Sequence, residues 1–466
     1  MKEQHRFPPL AALPLLGGIA WLWTSAQAGF LPFILTLPIG GGLFASGMAI
    51  LLWAGDRRFC QSMALSGVLG LLALPFLVPT LGLGTALWLS GLAAAAAVAA
   101  GSIAVDQTPE IEGVPQPEPS LRLSAGVALD EMVLGMEQLA IGLPAGDRAH
   151  RMVDEVHAAI AYHRSQGWSS DPLSYHATPP PLTAPRIETA RTGKIAYEHL
   201  RFESLYEPPA EEPGRERWLA LKPPRTAHAY VLRHADPDRP WIVCTNGYRM
   251  GLAGIDLRAF GHYHRVLGLN VLVPVLPLHG PRRIGRRSGD GFLGGDALDT
   301  LHGEAQAIWD IRRMIGWLRQ QGASMVGAAG LSLGGYTTAL LASVEPGLAC
   351  VVAGIPVADL ARIFWRHGPP LQLEYLAHLG VDEALVAELM TVISPLTLAP
   401  KVPLEARLIF GGTADRLVSP DHIRDLANHW DQPKTLWYSG GHLGFRMDPR
   451  IQHGVDQLLR DVKLCP

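Results

Sequence analysis

The stretch Gly330-Leu331-Ser332-Leu333-Gly334-Gly335 decides how this sequence folds. The apolar segment 325–330 has the pattern of a β-strand, and the Ala-, Leu- and Thr-rich segment 336–344 has that of a helix. Between them the glycines permit a turn so tight that a serine hydroxyl is exposed at the strand's end. The chain contains 50 glycines, so the flanking strand and helix are what make the pattern informative. The alternative for Ser332 is a small residue at an ordinary bend.

From about residue 191 onward, short apolar runs alternate with amphipathic helical patterns around this turn. The alternation predicts a mostly parallel sheet covered by helices, because buried parallel strands are apolar throughout and are joined by crossover helices. The longest such helix is predicted over 299–321. The eight predicted strands are 199–206, 228–233, 241–245, 271–275, 325–330, 350–355, 406–411 and 434–438.

Two downstream loops carry the groups that a serine nucleophile needs, which are a general base and an acid that holds the base. Asp415 lies in the loop after the strand 406–411, and His442 follows two glycines after the strand 434–438. In an open parallel sheet the carboxyl ends of the strands form the edge where ligands bind, so we expect these groups to converge there. The alternatives are a turn role for Asp415 and a solvated position for His442.

The chain order Ser332, Asp415, His442 resembles that of the α/β-hydrolase superfamily. Residues 330–334 resemble its nucleophile elbow, GGTADRLVSP (411–420) its acid loop and SGGHLG (439–444) its histidine loop. The resemblance extends from about residue 190 to the C-terminus and implies an α/β-hydrolase fold with an eight-stranded sheet. It also implies that His442 takes the proton from Ser332 and that Asp415 fixes the histidine tautomer.

The resemblance further implies two backbone donors for an oxyanion. One is the N–H of Leu333, the residue after the nucleophile. The other lies in the loop after the strand 241–245, where Asn246-Gly247 replaces the His-Gly of many relatives. The backbone N–H of Tyr248 is the expected donor in that loop.

Two further segments are candidates for substrate contact. Four arginines within six residues follow the strand 271–275, and such a group can bind a phosphate or carboxylate on a substrate. A solvated loop and a contact with anionic lipid headgroups are the alternatives. The Leu-rich insertion at about 359–397 is predicted to be a lid over an acyl pocket, with an ordinary surface excursion as the alternative. The four arginines are Arg282, Arg283, Arg286 and Arg287.

The first 105 residues differ in composition from the rest of the chain. Their uncharged stretches, 7–55 and 59–105, are each about twice the roughly 20 residues that a helix needs to cross a bilayer. We therefore expect a transmembrane region of four spans, near 10–23, 31–53, 63–79 and 83–104. Buried helices of a soluble domain are the alternative. The six charged residues of this region are Lys2, Glu3, Arg6, Asp56, Arg57 and Arg58.

The cations predict the orientation of these spans. Lys2 and Arg6 precede the first span, and Arg57 and Arg58 lie between the second and third. The positive-inside tendency places both groups in the cytoplasm, so the catalytic domain of this multi-pass cell-membrane protein is expected there. Cleavage of a secretory signal after Ala26-Gln27-Ala28 is an alternative that leaves the later topology unchanged.

The chain is thus predicted to comprise a transmembrane region (1–105), a linker with a helical prefix (106–190) and a catalytic domain (191–466). The prefix begins with the acidic, Pro-rich segment 106–120 and continues with helical patterns at 127–141 and 147–165.

Composition and motifs exclude several other classes of function. The net charge of -3 gives no basic field for nucleic acid. The sequence has neither an HExxH motif nor a P-loop, and its four cysteines are scattered, so we expect no metal or other cofactor. A transporter would need charges within its spans, and these are absent.

The predicted function is therefore a membrane-anchored serine hydrolase that cleaves a small or lipid-like carboxylic ester through an acyl-enzyme. An acyltransferase or peptidase would use the same triad, since a fold does not determine the reaction. A non-catalytic, membrane-bound binding module is the remaining alternative.

Overall fold

The structure is a computed structural model that describes residues 9–53, 56, 58–138, 144–294 and 296–465. Lys2, Arg6 and Arg57, which the orientation argument uses, lie outside the described residues. The chain divides into two compact units. Unit 1 comprises Met1–Ala140, Gly412–Asp421 and Trp437–Asp448, and unit 2 comprises Ile141–Gly411, His422–Leu436 and Pro449–Pro466.

The described part of unit 1 includes six α-helices, most of them apolar. Three of its helical segments, Pro9–Gln27, Phe30–Leu52 and Leu83–Asp106, are long and apolar enough to cross a membrane. The helices are α1 (Ala12–Gln27), α2 (Phe30–Leu52), α3 (Arg58–Leu72), α4 (Leu74–Leu81), α5 (Leu83–Asp106) and α6 (Leu121–Gln138).

The third predicted span, 63–79, consists of two helices rather than one. α3 and α4 meet at Ala73 with a bend of 58°, and together they make up a fourth candidate span. Pro75 in the first turn of α4 causes the break, because its nitrogen has no hydrogen to donate and its ring clashes with the preceding turn.

Small residues allow the helices of unit 1 to pack closely, as is common in apolar bundles. A Cβ atom on Gly18 would lie 2.5 Å from the backbone nitrogen of Phe44, so α1 and α2 are in contact there. A Cβ atom on Gly101 would lie 1.9 Å from the carbonyl oxygen of Ser124, which places α5 against α6. The α6 residues Leu123, Val127 and Ala128 belong to the same buried apolar cluster as α1 to α5.

The main element of unit 2 is a nine-stranded sheet with the order β1-β2-β3-β5-β4-β6-β7-β8-β9. Pairing is antiparallel from β1 through β2 and β3 to β5, and parallel from β5 through β4, β6 and β7 to β8. The strands are β1 (Arg186–Thr192), β2 (Ile195–Glu203), β3 (Thr226–Leu232), β4 (Trp241–Thr245), β5 (Asn270–Val275), β6 (Val326–Leu331), β7 (Val351–Gly354), β8 (Arg407–Gly412) and β9 (Lys434–Tyr438).

This sheet, in which β6 leads through Ser332 into a helix, is that of the α/β-hydrolase fold, and the predicted fold class is confirmed. All eight predicted strands are present, but the predicted number is too small by one. The additional strand, β1, pairs only with β2 at the edge of the sheet. Its sequence, RIETART, is largely polar and exposed, so its hydropathy does not indicate a strand.

Helices connect and flank these strands. α11 begins after Asp296, whose side chain accepts the N–H of Asp299, and α13 to α15 occupy the insertion predicted as a lid. The lid function itself stays a prediction. The helices are α7 (Asp147–Ser165), α8 (Arg215–Ala220), α9 (Ala253–Ala259), α10 (Gly261–Arg265), α11 (Ala297–Gln320), α12 (Leu333–Val344), α13 (Leu360–His367), α14 (Pro370–His378), α15 (Glu383–Met390), α16 (Pro420–His429) and α17 (Pro449–Asp461).

Candidate active site

Ser332 lies in the turn between β6 and α12 and has a strained backbone. Its φ of 59° and ψ of -117° fall in a region that a non-glycine residue rarely adopts. The surrounding backbone holds it there, because the Ser332 N–H donates to Gly354 at 2.9 Å and its carbonyl accepts from Tyr336 at 3.1 Å. This conformation is the one expected of a nucleophile elbow.

The two glycines of the G-x-S-x-G pattern are required by close backbone contacts. A Cβ atom on Gly330 would lie 2.0 Å from the carbonyl oxygen of Gly334. A Cβ atom on Gly334 would lie 2.1 Å from the carbonyl oxygen of Thr245 at the end of β4. Neither position has room for a side chain, so the sequence pattern follows from the tightness of the turn.

Leu333, the first predicted oxyanion donor, is the first residue of α12. Its N–H therefore has no acceptor within the helix and lies at the positive end of the helix dipole. Its role as a donor to substrate stays a prediction.

Tyr248, the second predicted donor, lies in a loop that is held in place by the buried carboxyl group of Asp256. Asp256 in α9 accepts the N–H of Gly251 at 3.2 Å. Burial raises the pKa of Asp256 to about 7, against the opposing effect of the hydrogen bond from Gly251. The Arg249 guanidinium covers the Tyr248 ring at 4.5 Å from its centroid.

Asp415 and His442 are in direct contact in unit 1. The Asp415 Oδ2 atom lies 2.6 Å from Nδ1 of His442. The other carboxylate oxygen accepts the backbone N–H groups of Leu417 at 3.0 Å and Val418 at 2.9 Å. Both side chains are buried. With Nδ1 held by a carboxylate, Nε2 is the nitrogen that can accept a proton.

A second buried carboxylate, Asp130 of α6, lies beside this pair. Its Oδ2 atom accepts the backbone N–H of His442 at 2.8 Å and that of Arg416 at 3.1 Å. Asp130 was not predicted from the sequence. The available signal was the acidic pair Asp130-Glu131 in the middle of a mostly apolar helix, and both of these residues are buried.

The electrostatics of the cluster follow from this arrangement. Burial alone would lower the pKa of His442, but the Asp415 and Asp130 carboxylates outweigh it and raise that pKa above its ordinary value. Burial, and then the charge of Asp415, raises the pKa of Asp130 to about 7. The proximity of His442 and two backbone hydrogen bonds oppose this shift.

Arg416 connects the acid loop to the helices of unit 1 through hydrogen bonds. Its Nε atom donates to Glu131 at 2.6 Å, and its Nη1 atom donates to Thr108, just beyond α5, at 2.6 Å. Arg416 and Glu131 are both buried, so removal of one partner would leave an uncompensated charge.

The structure thus brings two of the three predicted catalytic residues together. Asp415 and His442 belong to unit 1, and Ser332 belongs to unit 2. The pairing of Ser332 with His442 stays a prediction.

The predicted anion-binding role is corrected for Arg282. This residue is 0% exposed, and its guanidinium donates to Asp310 of α11 at 2.8 Å and to the carbonyls of Val275 and Pro224. All of these contacts lie within the protein, so Arg282 holds the loop in place and is not accessible to a ligand. The other three arginines, Arg283, Arg286 and Arg287, are exposed.

Among the residues that the structure describes, no group of three or more His, Cys, Asp or Glu side chains is arranged to hold a metal ion.

Two proteins of Mycobacterium tuberculosis are similar to this chain over most of its length. The uncharacterized protein MT2702 of strain CDC 1551 / Oshkosh is 40% identical over 356 residues, which cover 74% of this chain and 84% of that protein. The uncharacterized protein Rv2627c of strain ATCC 25618 / H37Rv has the same identity and coverage. This chain belongs to their family. The matched share is larger than the segment 191–466, so the similarity within the family extends to residues before 191. No family model matches the sequence.

Two solved esterase structures are similar to this chain at low identity. Acetyl xylan esterase 1 from Thermoanaerobacterium sp. JW/SL YS485 is 16% identical, with a TM-score of 0.42, and the match covers 63% of this chain and 98% of that one. The acetyl xylan esterase from Paenibacillus sp. R4 is 13% identical, with a TM-score of 0.44, and the match covers 64% and 99%.

Proposed function

We propose that this protein is a membrane-anchored serine hydrolase that cleaves a carboxylic ester through an acyl-enzyme. The observation that carries the proposal is the strained backbone of Ser332 at the junction of β6 and α12. Strain of this kind persists only where the surroundings impose it, and it is concentrated at functional sites. The buried pair of Asp415 and His442 adds the base and acid that a serine nucleophile requires.

The proposed reaction has two stages. In the first, the Ser332 hydroxyl attacks the ester carbonyl carbon while Nε2 of His442 takes its proton. The N–H groups of Leu333 and Tyr248 stabilise the oxyanion of the tetrahedral intermediate. Collapse of the intermediate expels the alcohol, which receives the proton from His442, and leaves the acyl group on Ser332.

In the second stage, water replaces the alcohol. His442 takes a proton from the water as it attacks the acyl-enzyme, and then returns a proton to Ser332 as the acid is released. Asp415 keeps the imidazole in the required tautomer and stabilises the imidazolium in both stages.

We infer that the substrate is a small or lipid-like ester that the enzyme meets at a bilayer. The support is the set of apolar helices in unit 1, three of which are long enough to cross a membrane. The proposed location is the cell membrane, with the catalytic residues on the cytoplasmic side. A reporter that is active only in the cytoplasm, fused after residue 105, should be active. Activity of a periplasm-dependent reporter at that position would overturn the orientation.

Labelling with a fluorophosphonate probe tests the nucleophile. Membranes that contain the wild-type protein should be labelled, and Ser332→Ala should not. The matched control is Ser343→Ala, because Ser343 lies in α12 as well and its hydroxyl only donates to the carbonyl of Leu398 at 3.0 Å. Equal labelling of the wild type and Ser332→Ala would contradict the proposal. If the labelled protein transfers an acyl group to an alcohol, the result favours an acyltransferase. If it cleaves peptides, the result favours a peptidase.

A further inference from the structure

Asp130 is a buried carboxylate that joins the two loops bearing the proposed acid and base. It lies in the middle of α6, a helix outside the segment that resembles α/β-hydrolases. One oxygen atom, Oδ2, accepts the backbone N–H of His442 at 2.8 Å and that of Arg416 at 3.1 Å. Because Arg416 directly follows Asp415, this oxygen holds the acid loop and the histidine loop side by side.

The neighbouring backbone is shaped around this carboxylate. A Cβ atom on Gly441 would lie 2.6 Å from Oδ2 of Asp130, so any side chain at position 441 would displace the histidine loop. Asp130 itself is 4% exposed, which leaves water little access to the two hydrogen bonds.

α6 is in turn fixed to the helix before it. The hydroxyl oxygens of Ser124 and Ser102 lie 2.7 Å apart at the contact between α6 and α5. Farther along, Glu131 and Thr108 both bind the Arg416 guanidinium. The position of Asp130 is therefore determined by the helical bundle of unit 1.

We propose that Asp130 is a positioning residue, which orients His442 by holding the backbone of the histidine loop against that of the acid loop. The helical bundle then contributes to the catalytic geometry in addition to serving as an anchor. This inference rests on the proposed function, since it needs His442 to be the general base.

Asp130 also affects the charge of His442, because a nearby carboxylate favours the imidazolium and raises the pKa of the histidine. A variant without this charge should keep His442 neutral, and so able to accept a proton, at lower pH. The titratable side chains that contact His442 in the described part of unit 1 are Asp415, Asp130 and Tyr438.

The test compares Asp130→Ala with Asp130→Asn in the full-length protein in detergent, with p-nitrophenyl butyrate as substrate. In Asp130→Ala the acceptor is lost, and we expect kcat to fall by about 10²-fold with little change in KM, since a misplaced base weakens the chemical step. Asp130→Asn keeps an oxygen that can accept both N–H groups and should recover most of that loss. The acid limb of its pH profile, where kcat/KM rises with pH, should lie at lower pH than the acid limb of the wild type.

Glu131→Gln is the matched control, because Glu131 is also buried in α6 but binds the Arg416 side chain. We expect it to lower stability and to leave the acid limb in place. Any of three results would overturn the inference. They are a wild-type kcat in Asp130→Ala, an equal loss of kcat in the two Asp130 variants, and an acid limb in Asp130→Asn at the same pH as in the wild type. If Asp130→Ala does not fold, the position of the acid limb in Asp130→Asn decides whether the inference holds. Absence of Ser332-dependent labelling in the wild type would instead overturn the proposed function.

Discussion

The Nδ1 atom of His442 lies 2.6 Å from Oδ2 of Asp415, and both side chains are buried. The second oxygen of Asp415 is occupied by the N–H groups of Leu417 and Val418, so the carboxylate cannot rotate away from the histidine without losing them. Such a contact determines which nitrogen of the imidazole carries the proton.

Asp415→Asn should therefore lower kcat by roughly 10³- to 10⁴-fold, because an amide can donate to Nδ1 and stabilise the wrong tautomer. The measurement is steady-state hydrolysis of p-nitrophenyl butyrate, with circular dichroism to show that the fold is retained. Asp431→Asn serves as a control, since the side chain of Asp431 is 82% exposed. A folded Asp415→Asn enzyme with wild-type kcat would show that Asp415 is not the acid of the triad.

The pH dependence of hydrolysis should report the raised pKa of His442. Only the neutral imidazole can take the proton of Ser332, so kcat/KM should rise with pH through the pKa of His442 in the free enzyme. Because Asp415 and Asp130 raise that pKa, the midpoint of the acid limb should lie above the ordinary histidine value of about 6.5. Since Asp130 titrates in the same range, the midpoint belongs to the cluster as a whole. A midpoint below the ordinary value would be incompatible with this cluster.

The sheet and the local motifs could be predicted because neighbouring residues specify them. The predicted bounds of β4 and β9 agree with the structure, since apolar runs ended by polar or glycine residues delimit both strands. Likewise the glycines around Ser332 indicate a tight turn whatever the rest of the chain does. The edge strand β1 was missed because its exposed, polar residues lack the hydropathy of a buried strand.

Residues whose roles depend on distant partners could not be predicted in this way. Asp130 lies 312 positions from His442, and no local pattern connects the two. Arg282 has the same sequence context as the exposed Arg283, but it is buried with acceptors that are distant in sequence, Asp310 and Pro224. Sequence patterns thus singled out Asp415 and His442 but not the carboxylate that joins their loops.

Glu304 should make unit 2 less stable as pH rises. Its carboxyl is buried in α11, and burial raises its pKa to about 8. In the folded protein Glu304 therefore keeps its proton at pH values where the unfolded chain, with the ordinary pKa of about 4.5, has released it. The free energy of unfolding thus falls as pH rises from about 4.5 to 8.

Glu304→Gln, which is neutral at every pH, should remove this contribution. We expect it to be more stable than the wild type at pH 8 by up to about 4 kcal/mol, with a smaller difference at pH 5. Thermal denaturation of both proteins between pH 5 and pH 9 measures the effect. Glu216→Gln is the control, because the Glu216 side chain is 93% exposed. Parallel pH curves for the wild type and Glu304→Gln would refute the assignment.

Arg282→Met should destabilise the protein by about 3–5 kcal/mol, because it leaves Asp310 as a buried charge without its partner. The double variant Arg282→Met with Asp310→Leu should recover part of the loss, since it removes both charges. Arg286→Ala changes an exposed residue of the same loop and should stay within about 0.5 kcal/mol of the wild type. Chemical denaturation of the four proteins checks this. An Arg282→Met variant as stable as Arg286→Ala would mean that the buried pair does not stabilise the loop.

Gly101→Ala should disturb the contact between α5 and α6, and through it the active site. A Cβ atom at position 101 would lie 1.9 Å from the carbonyl oxygen of Ser124, so the two helices would have to separate. Overpacking of this kind costs about 1–3 kcal/mol. Because α6 carries Asp130, we also expect slower fluorophosphonate labelling of Ser332.

Gly91→Ala is the matched control for this change. Gly91 lies in α5 too, but a Cβ atom there would meet nothing within 4 Å, so the alanine should be neutral or stabilise the helix by up to about 1 kcal/mol. The melting temperature in detergent and the labelling rate are to be measured for both variants. Labelling that is equally fast in Gly101→Ala and Gly91→Ala, at temperatures where both are folded, would show that the helical bundle acts as an anchor alone. A slower rate in Gly101→Ala alone would support the structural link from α5 through α6 to His442.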